Sequence, residues 1–136
     1  MILGFGTDLC DIRRIEAALA KYGERFTRRV FAVSERMRAE RAPHARPASY
    51  AKRFAAKEAC AKALGTGFRD GIFLSDIRVI NDQAGRPILD LHGAARARLE
   101  ALVPLGCRAR LFLSMTDEYP YAQAQVIISA EPLGGP

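Results

Sequence analysis

The sequence lacks most of the features that assign a function class at sight. It has no tryptophan, two histidines and only three cysteines in 136 residues. Cys10, Cys60 and Cys107 are widely separated and form no CxxC pair, so the sequence predicts neither a zinc site nor a disulfide framework. Buried, reduced thiols in a reducing compartment are the state expected of such cysteines.

Long apolar runs and the common nucleotide-binding motifs are also missing. No segment approaches the roughly 20 apolar residues that span a bilayer, and the N-terminal MILGFGTDLC is not built like a secretory signal. Neither GxxxxGK[ST] nor a GxGxxG motif after a strand occurs, which argues against P-loop and Rossmann nucleotide sites. We therefore expect a cytoplasmic protein that makes no contact with a membrane.

What the sequence does contain is a strongly asymmetric charge. Lys and Arg total 21 against 15 Asp and Glu, which gives a net charge of +6. Residues 13–53 hold 12 basic and 4 acidic side chains, or +8, whereas residues 1–12 carry −2 and residues 54–136 are neutral. This excess predicts an anionic partner without identifying it.

The length and an apolar content of 49% fit one packed domain, which we place at 1–131 with a flexible tail at 132–136. Hydrophobic periodicity and turn residues predict an α+β fold whose last strands pair in antiparallel fashion. The predicted helices are 11–31 (with a possible break or bend at Gly23), 34–41 (capped by Ser34), 49–64 and 93–103. The predicted strands are 1–8, 74–80, 87–91, 109–115 and 121–128, and Pro43 and Pro47 mark a loop.

Two carboxylates stand where a metal ion could bind. Asp8 follows a predicted strand beside glycines and precedes a helix, so it either binds a cation or caps that helix. Glu58 lies in an alanine-rich helix next to an apolar face, where a carboxylate is costly unless it is paired or metal-bound. Pairing with Lys62 at i+4 is one solution, and convergence of Asp8 and Glu58 on one Mg²⁺ ion is the other.

Basic residues and glycines along the same stretch suggest phosphate binding. Arg53, Lys57 and Lys62 recur along the helix predicted at 49–64, and Gly65-Thr66-Gly67 follows it directly. Glycines allow a ligand to approach the backbone, while the basic side chains supply positive charge. Solvated side chains on a helix surface are the alternative interpretation.

These segments together resemble the bacterial holo-[acyl-carrier-protein] synthase family, the small 4′-phosphopantetheinyl transferases. The most specific are the GTD motif that ends at Asp8 and FAAKEACAKALGTG, which runs from Phe54 to Gly67. Further matches follow in family order across nearly the whole chain: Arg14-Ile15-Glu16, Asp76-Ile77, Gly85-Arg86-Pro87, Leu113-Ser114 and Tyr121-Ala122-Gln123-Ala124.

The resemblance implies a reaction, a fold and an assembly. Members of this family transfer the phosphopantetheine arm of coenzyme A to a serine of an apo-acyl carrier protein and release adenosine 3′,5′-bisphosphate. The implied fold is an antiparallel sheet with a long helix packed on it, and the implied assembly is a homotrimer with active sites between subunits. A protein that binds coenzyme A and carrier without turnover, and a basic nucleic-acid-binding module, are the alternative functions.

The resemblance also assigns roles to residues. Asp8 and Glu58 would bind Mg²⁺ at the pyrophosphate of the coenzyme, with Lys62 as a third catalytic residue and with Glu58 or a metal-bound water as the base for the serine proton. Coenzyme binding would involve Arg53, Lys57, Lys62, Gly65, Thr66, Gly67, Arg86 and Pro87. Carrier binding would involve the exposed basic residues of the first predicted helix, Arg13, Arg14, Lys21, Arg25, Arg28 and Arg29.

One segment departs from the family pattern. Many members have Ser-x-Ser-His before the final strand, where this chain has Ser114-Met115-Thr116-Asp117. Because a carboxylate cannot replace the positive charge of a histidine, the resemblance assigns no phosphate-binding role to Asp117.

Overall fold

A computed structural model describes residues 1–134 of the chain. Its strands and helices follow in the order β1 (Ile2–Asp11), α1 (Ile12–Tyr22), α2 (Glu24–Val30), α3 (Val33–Glu40), α4 (Arg46–Ala63), β2 (Ile77–Asn81), β3 (Pro87–Leu91), α5 (Gly93–Leu102), β4 (Cys107–Glu118) and β5 (Tyr121–Pro132). In the segment predicted as a tail, the Leu133 N–H donates to the Gly106 carbonyl at 2.8 Å. Residues 135–136 of that segment lie outside the described part.

The strands form two antiparallel sheets, and the long helix α4 packs on the larger one. The first sheet has the order β1-β5-β4, and the second is the β2–β3 hairpin. Alternate residues of β5 are buried, as expected for a strand with one covered face. This confirms the predicted α+β class, the antiparallel pairing and the hairpin.

Two glycines bring β1 into direct contact with α4. A Cβ atom placed on Gly4 would lie 1.9 Å from the carbonyl oxygen of Ala63, and one on Gly6 would lie 1.9 Å from that of Ala59. The residues of α4 at this contact are alanines that are fully buried or nearly so. Because Asp8 is two residues beyond Gly6, its side chain leaves the strand on the same face, toward α4.

Several predicted boundaries are wrong for local reasons. The single helix predicted at 11–31 is two helices, because Gly23 adopts a φ of +54° and its N–H closes α1 on the Leu19 carbonyl. Ala32, not Ser34, precedes α3, and its N–H donates to the Glu35 carboxylate at 2.9 Å. Pro47 lies inside α4, where the first turn of a helix tolerates proline.

Candidate functional site

The predicted catalytic residues meet where β1 lies against α4. The Lys62 ammonium group donates to the Asp8 carboxylate and to the Thr7 carbonyl, each at 3.0 Å. The Asp8 side chain is 18% exposed and that of Lys62 is 54% exposed, so both reach solvent. The structure therefore brings together Asp8, Glu58 and Lys62 from segments some 50 residues apart.

Two of the alternatives for these residues are wrong. Asp8 does not cap the first helix: it lies within β1, and Asp11 is the cap, with its carboxylate accepting the Arg13 N–H at 3.0 Å. Lys62 pairs with Asp8, and within residues 1–134 no ion pair joins it to Glu58. Glu58 is thus a half-buried carboxylate that forms no ion pair within the described residues, although the nearby charges of Lys62 and Arg14 favour its ionised form.

The electrostatics of the two carboxylates fit a divalent cation. Burial raises the pKa of Glu58, and the negative charge of Asp8 raises it further. A cation between them would reverse both effects, since it favours the ionised form. Among residues 1–134 no cluster of three acidic, histidine or cysteine side chains occurs, so phosphate oxygens and water would have to supply further ligands.

A second group of predicted residues surrounds a cavity of about 380 Å³ between α4, the β2–β3 turn and the end of β4. Arg53 lines it and is only 4% exposed, and its guanidinium donates to the carbonyl (3.1 Å) and hydroxyl (2.7 Å) of Ser49. Its Nε has no hydrogen-bond partner within the described residues. A buried N–H without an acceptor costs about 1–3 kcal/mol. The guanidinium also carries positive charge at the wall of the cavity, where an anion would be attracted.

Gly85 and Pro87 of the β2–β3 turn line the same cavity. The Asp82 carboxylate holds this turn by accepting the backbone N–H groups of Ala84 (3.0 Å) and Arg86 (2.9 Å). The Arg86 side chain is exposed at the turn. Arg53 and the Gly85-Arg86-Pro87 segment are therefore close in space, although more than 30 residues separate them in the sequence.

The Gly65–Gly67 turn is not part of this cavity. It ends α4 beside Lys62, with the Gly65 N–H donating to the Lys62 carbonyl at 3.0 Å and with a φ of +81° at Gly65. Twelve residues of helix separate Gly65 from Arg53, or about 18 Å at 1.5 Å per residue. The predicted coenzyme-binding residues thus form two clusters, one along the N-terminal half of α4 and one at its C-terminal end.

Lys57 belongs to neither cluster, and its assignment to the coenzyme is corrected. Its ammonium group is fully buried, pairs with Glu35 at 2.8 Å and donates to the carbonyls of Leu74 and Ile77. Glu35 also accepts the Val79 N–H at 3.1 Å. Burial lowers the pKa of Lys57, and the Glu35 carboxylate opposes that shift. With no exposed surface, Lys57 joins α3, α4 and β2 and cannot touch a phosphate.

The predicted carrier-binding residues are all exposed on α1 and α2. Arg13 is paired with Asp11 at 2.7 Å and Arg28 with Glu24 at 3.2 Å, which reduces their free charge. Within residues 1–134 the other four, Arg14, Lys21, Arg25 and Arg29, form no ion pair.

An apolar groove runs beside two of these arginines. Arg25 and Arg29 flank a shallow cavity whose remaining walls are Tyr22 and Phe26. Tyr22 is a large aromatic side chain that is 47% exposed.

Other residues of interest were not predicted. Arg38 and Lys52 also line the cavity that holds Arg53. Lys52 forms an ion pair with Asp117, with 3.1 Å between Nζ and Oδ1. The signal in the sequence was weak, because Lys52 and Asp117 are 65 residues apart and the register of β4 against α4 is not encoded locally.

Comparisons with known proteins identify the family of the chain. Residues 4–124 match the model of the 4′-phosphopantetheinyl transferase superfamily. The chain is 60% identical to the holo-[acyl-carrier-protein] synthase of Granulibacter bethesdensis, over 98% of this chain and 92% of that one. It is 61% identical to the holo-[acyl-carrier-protein] synthase of Methylobacterium sp. (strain 4-46), over 96% of each chain.

Solved structures give the same picture. The fold matches a crystal structure of the holo-[acyl-carrier-protein] synthase of Neisseria meningitidis with a TM-score of 0.81 at 36% identity, covering 95% of this chain and 99% of that one. The synthase of Bacillus anthracis, solved in complex with CoA (3′,5′-ADP), matches with a TM-score of 0.73 at 33% identity over 94% and 96% of the chains. No helix within residues 1–134 is both long and apolar enough to cross a membrane.

Proposed function

The chain belongs to the 4′-phosphopantetheinyl transferase superfamily, and from this premise we propose how its residues carry out the reaction. The protein transfers the 4′-phosphopantetheine arm of coenzyme A to a serine of an apo-acyl carrier protein. The serine Oγ loses its proton to a base and bonds to the phosphorus that carries the pantetheine, the P–O bond from that phosphorus to the bridging oxygen breaks, and adenosine 3′,5′-bisphosphate leaves with the bridging oxygen. Relatives at 60% identity and above bear the synthase name, so neither alternative function is favoured.

The meeting of Asp8, Glu58 and Lys62 is the observation that carries this proposal. We assign Asp8 and Glu58 as the ligands of a Mg²⁺ ion, which would neutralise the pyrophosphate and stabilise charge on the leaving group. Lys62 holds the Asp8 carboxylate and still presents an exposed ammonium group, suited to a phosphate oxygen. We assign the serine proton to Glu58 or to a water bound by the cation.

The Arg53 cavity is assigned to the nucleotide end of coenzyme A. Its cationic lining and the unpartnered Arg53 Nε suit a phosphate, and the β2–β3 turn offers backbone to the nucleotide. Because the pyrophosphate is assigned to the carboxylates, the remaining phosphomonoester on the ribose is the group left for this cavity.

The outward face of the larger sheet supports a trimer. Phe5, Ile127 and Phe112 face each other across β1, β5 and β4 on the side away from α4. Phe5 is 58% exposed and Phe112 is 37% exposed, which leaves an apolar strip without a cover in one chain. The carboxylate site lies at β1 and the Arg53 cavity at β4, the two outer strands of this sheet. We infer that a complete active site combines the carboxylate site of one subunit with the Arg53 cavity of its neighbour.

The acidic carrier protein is assigned to α1 and α2. Unpaired arginines beside an apolar groove match a negatively charged helix with an apolar face. Charge reversal at Arg25 and Arg29 is therefore expected to raise KM for the carrier about tenfold and to flatten its salt dependence, while coenzyme A binding stays unchanged. Unchanged carrier kinetics would remove this surface from the proposal.

The free cysteines fit a reducing, cytoplasmic setting.

The direct test is modification of an apo-acyl carrier protein. Incubation with coenzyme A and Mg²⁺ is expected to raise the intact mass of the carrier by one phosphopantetheine. Asp8→Asn and Glu58→Gln are each expected to lower turnover by roughly a thousandfold in a folded protein, since each removes a ligand of the cation. Glu118→Gln, an exposed change of the same charge, is the control. No modification by the unchanged protein, or full turnover by Asp8→Asn, would contradict the assignment.

A further inference from the structure

The ion pair between Lys52 and Asp117 has no role in the reaction as described so far. Both side chains line the Arg53 cavity, with 3.1 Å between the ammonium nitrogen and a carboxylate oxygen. They are 29% and 35% exposed, so the pair is open to solvent and to an incoming ligand. Arg53, whose Nε is buried and has no partner within the described residues, lines the same cavity.

The cavity combines attraction and repulsion for an anion. Arg38, Lys52 and Arg53 supply three positive charges, and Asp117 supplies one negative charge, which leaves +2. A phosphate entering here would be attracted by the first three and repelled by the fourth. A partly exposed ion pair contributes only about 0.2–1 kcal/mol, so separating Lys52 from Asp117 costs little.

We propose that Lys52 is an exchangeable cation, held by Asp117 in the free protein and transferred to the phosphomonoester of coenzyme A on binding. This inference rests on the proposed assignment of the cavity to the nucleotide end of the coenzyme. In the proposed exchange, Lys52 determines selectivity for the phosphorylated coenzyme. Asp117 is the competing acceptor that limits the affinity for coenzyme A. The Asp117 carboxylate then lowers the affinity for the coenzyme, whereas a cationic side chain at this position would raise it.

The exchange bears on product release as well as on substrate binding. Adenosine 3′,5′-bisphosphate carries the same phosphomonoester and leaves through the same contacts. When it departs, Lys52 returns to Asp117, and the re-formed pair offsets part of the lost attraction. Asp117 therefore weakens the binding of substrate and product together.

The test is calorimetric titration with coenzyme A and with dephospho-coenzyme A. Lys52→Met is expected to weaken coenzyme A binding about tenfold, as for loss of a hydrogen bond to a charged group. Asp117→Asn is expected to tighten it about threefold to fivefold. Neither change should alter the affinity for dephospho-coenzyme A, and Glu118→Gln, with the same charge change at the next residue, should alter neither affinity.

The double variant separates exchange from simple charge repulsion. If Lys52 leaves Asp117 for the phosphate, Asp117→Asn gives a smaller gain when Lys52 is already methionine. An equal gain in both backgrounds, or an Asp117→Asn protein that binds coenzyme A no more tightly, would overturn the inference. An unchanged protein that binds no coenzyme A would instead overturn the proposed function, so the two failures are distinguishable.

Discussion

Replacement of Gly6 by alanine tests whether the contact between β1 and α4 positions Asp8 and Glu58, the proposed ligands of the cation. The new Cβ atom would lie 1.9 Å from the Ala59 carbonyl oxygen and 2.9 Å from the Ala63 nitrogen. Both obstacles are backbone atoms of one helix, so no side-chain rotation can relieve the clash. An ordinary contact begins near 3.4 Å, so strand and helix would have to separate by about 1.5 Å.

That displacement has two measurable consequences. Overfilling a packed interface costs about 1–3 kcal/mol or more, and we expect Gly6→Ala to lose about 3 kcal/mol of unfolding free energy in urea titration. Asp8 lies two residues further along the strand, so it moves away from Glu58 on α4. A misplacement of about 1 Å can reduce a reaction rate about a hundredfold, and turnover of the folded protein should fall by at least that factor.

Gly106→Ala is the matched control. Gly106 has a φ of +81°, but a Cβ atom there would meet nothing within 4 Å. It should lose only about 1–2 kcal/mol through the left-handed backbone and keep its turnover. If Gly6→Ala unfolds like the unchanged protein and modifies the carrier at the same rate, the close contact is not what positions Asp8.

Three further expectations follow from other parts of the structure. Lys57→Met leaves the Glu35 carboxylate buried without its cation and is expected to lower the unfolding free energy by about 3–5 kcal/mol, measured in urea; an unchanged midpoint would mean that the pair is dispensable. Phe5→Asp places a charge on the uncovered sheet face and should shift the mass in sedimentation equilibrium from trimer to monomer, whereas a trimeric variant would exclude that face as the interface. Burial raises the pKa of Cys10 to about 11 and that of Cys60 to about 12, so at pH 8 both stay protonated and a thiol-specific reagent should label Cys107 first; rapid labelling of all three in the folded protein would contradict this.

The sequence predicted that Asp8 and Glu58 come together, because both lie in short, contiguous motifs; their catalytic role stays a prediction. Asp8 stands beside glycines between a predicted strand and a helix, and Glu58 stands next to an apolar face where a lone carboxylate is costly. The same local logic failed for Lys57, which lies beside Glu58 in the sequence but turns inward. Its partner Glu35 is 22 residues away on another helix, and nothing near Lys57 signals that contact.

For the same reason, the prediction grouped coenzyme-binding residues that the structure separates. Arg53 and Pro87 were named together because of family order, and the structure brings them to one cavity. Gly65 was placed with them, although the length of α4 carries it to the far end. The pairing of Lys52 with Asp117 depends on how α4 crosses β4, which follows from the packing of the whole sheet and not from either segment.

The position of the two clusters at opposite edges of the sheet has a genetic consequence. In the proposed trimer, a chain damaged at Asp8 and a chain damaged at Arg53 are each inactive alone, yet mixed trimers contain some interfaces built from two intact halves. Such alleles would complement each other when expressed together. A damaged chain would also spoil the sites it shares with intact neighbours, so its effect would be partly dominant.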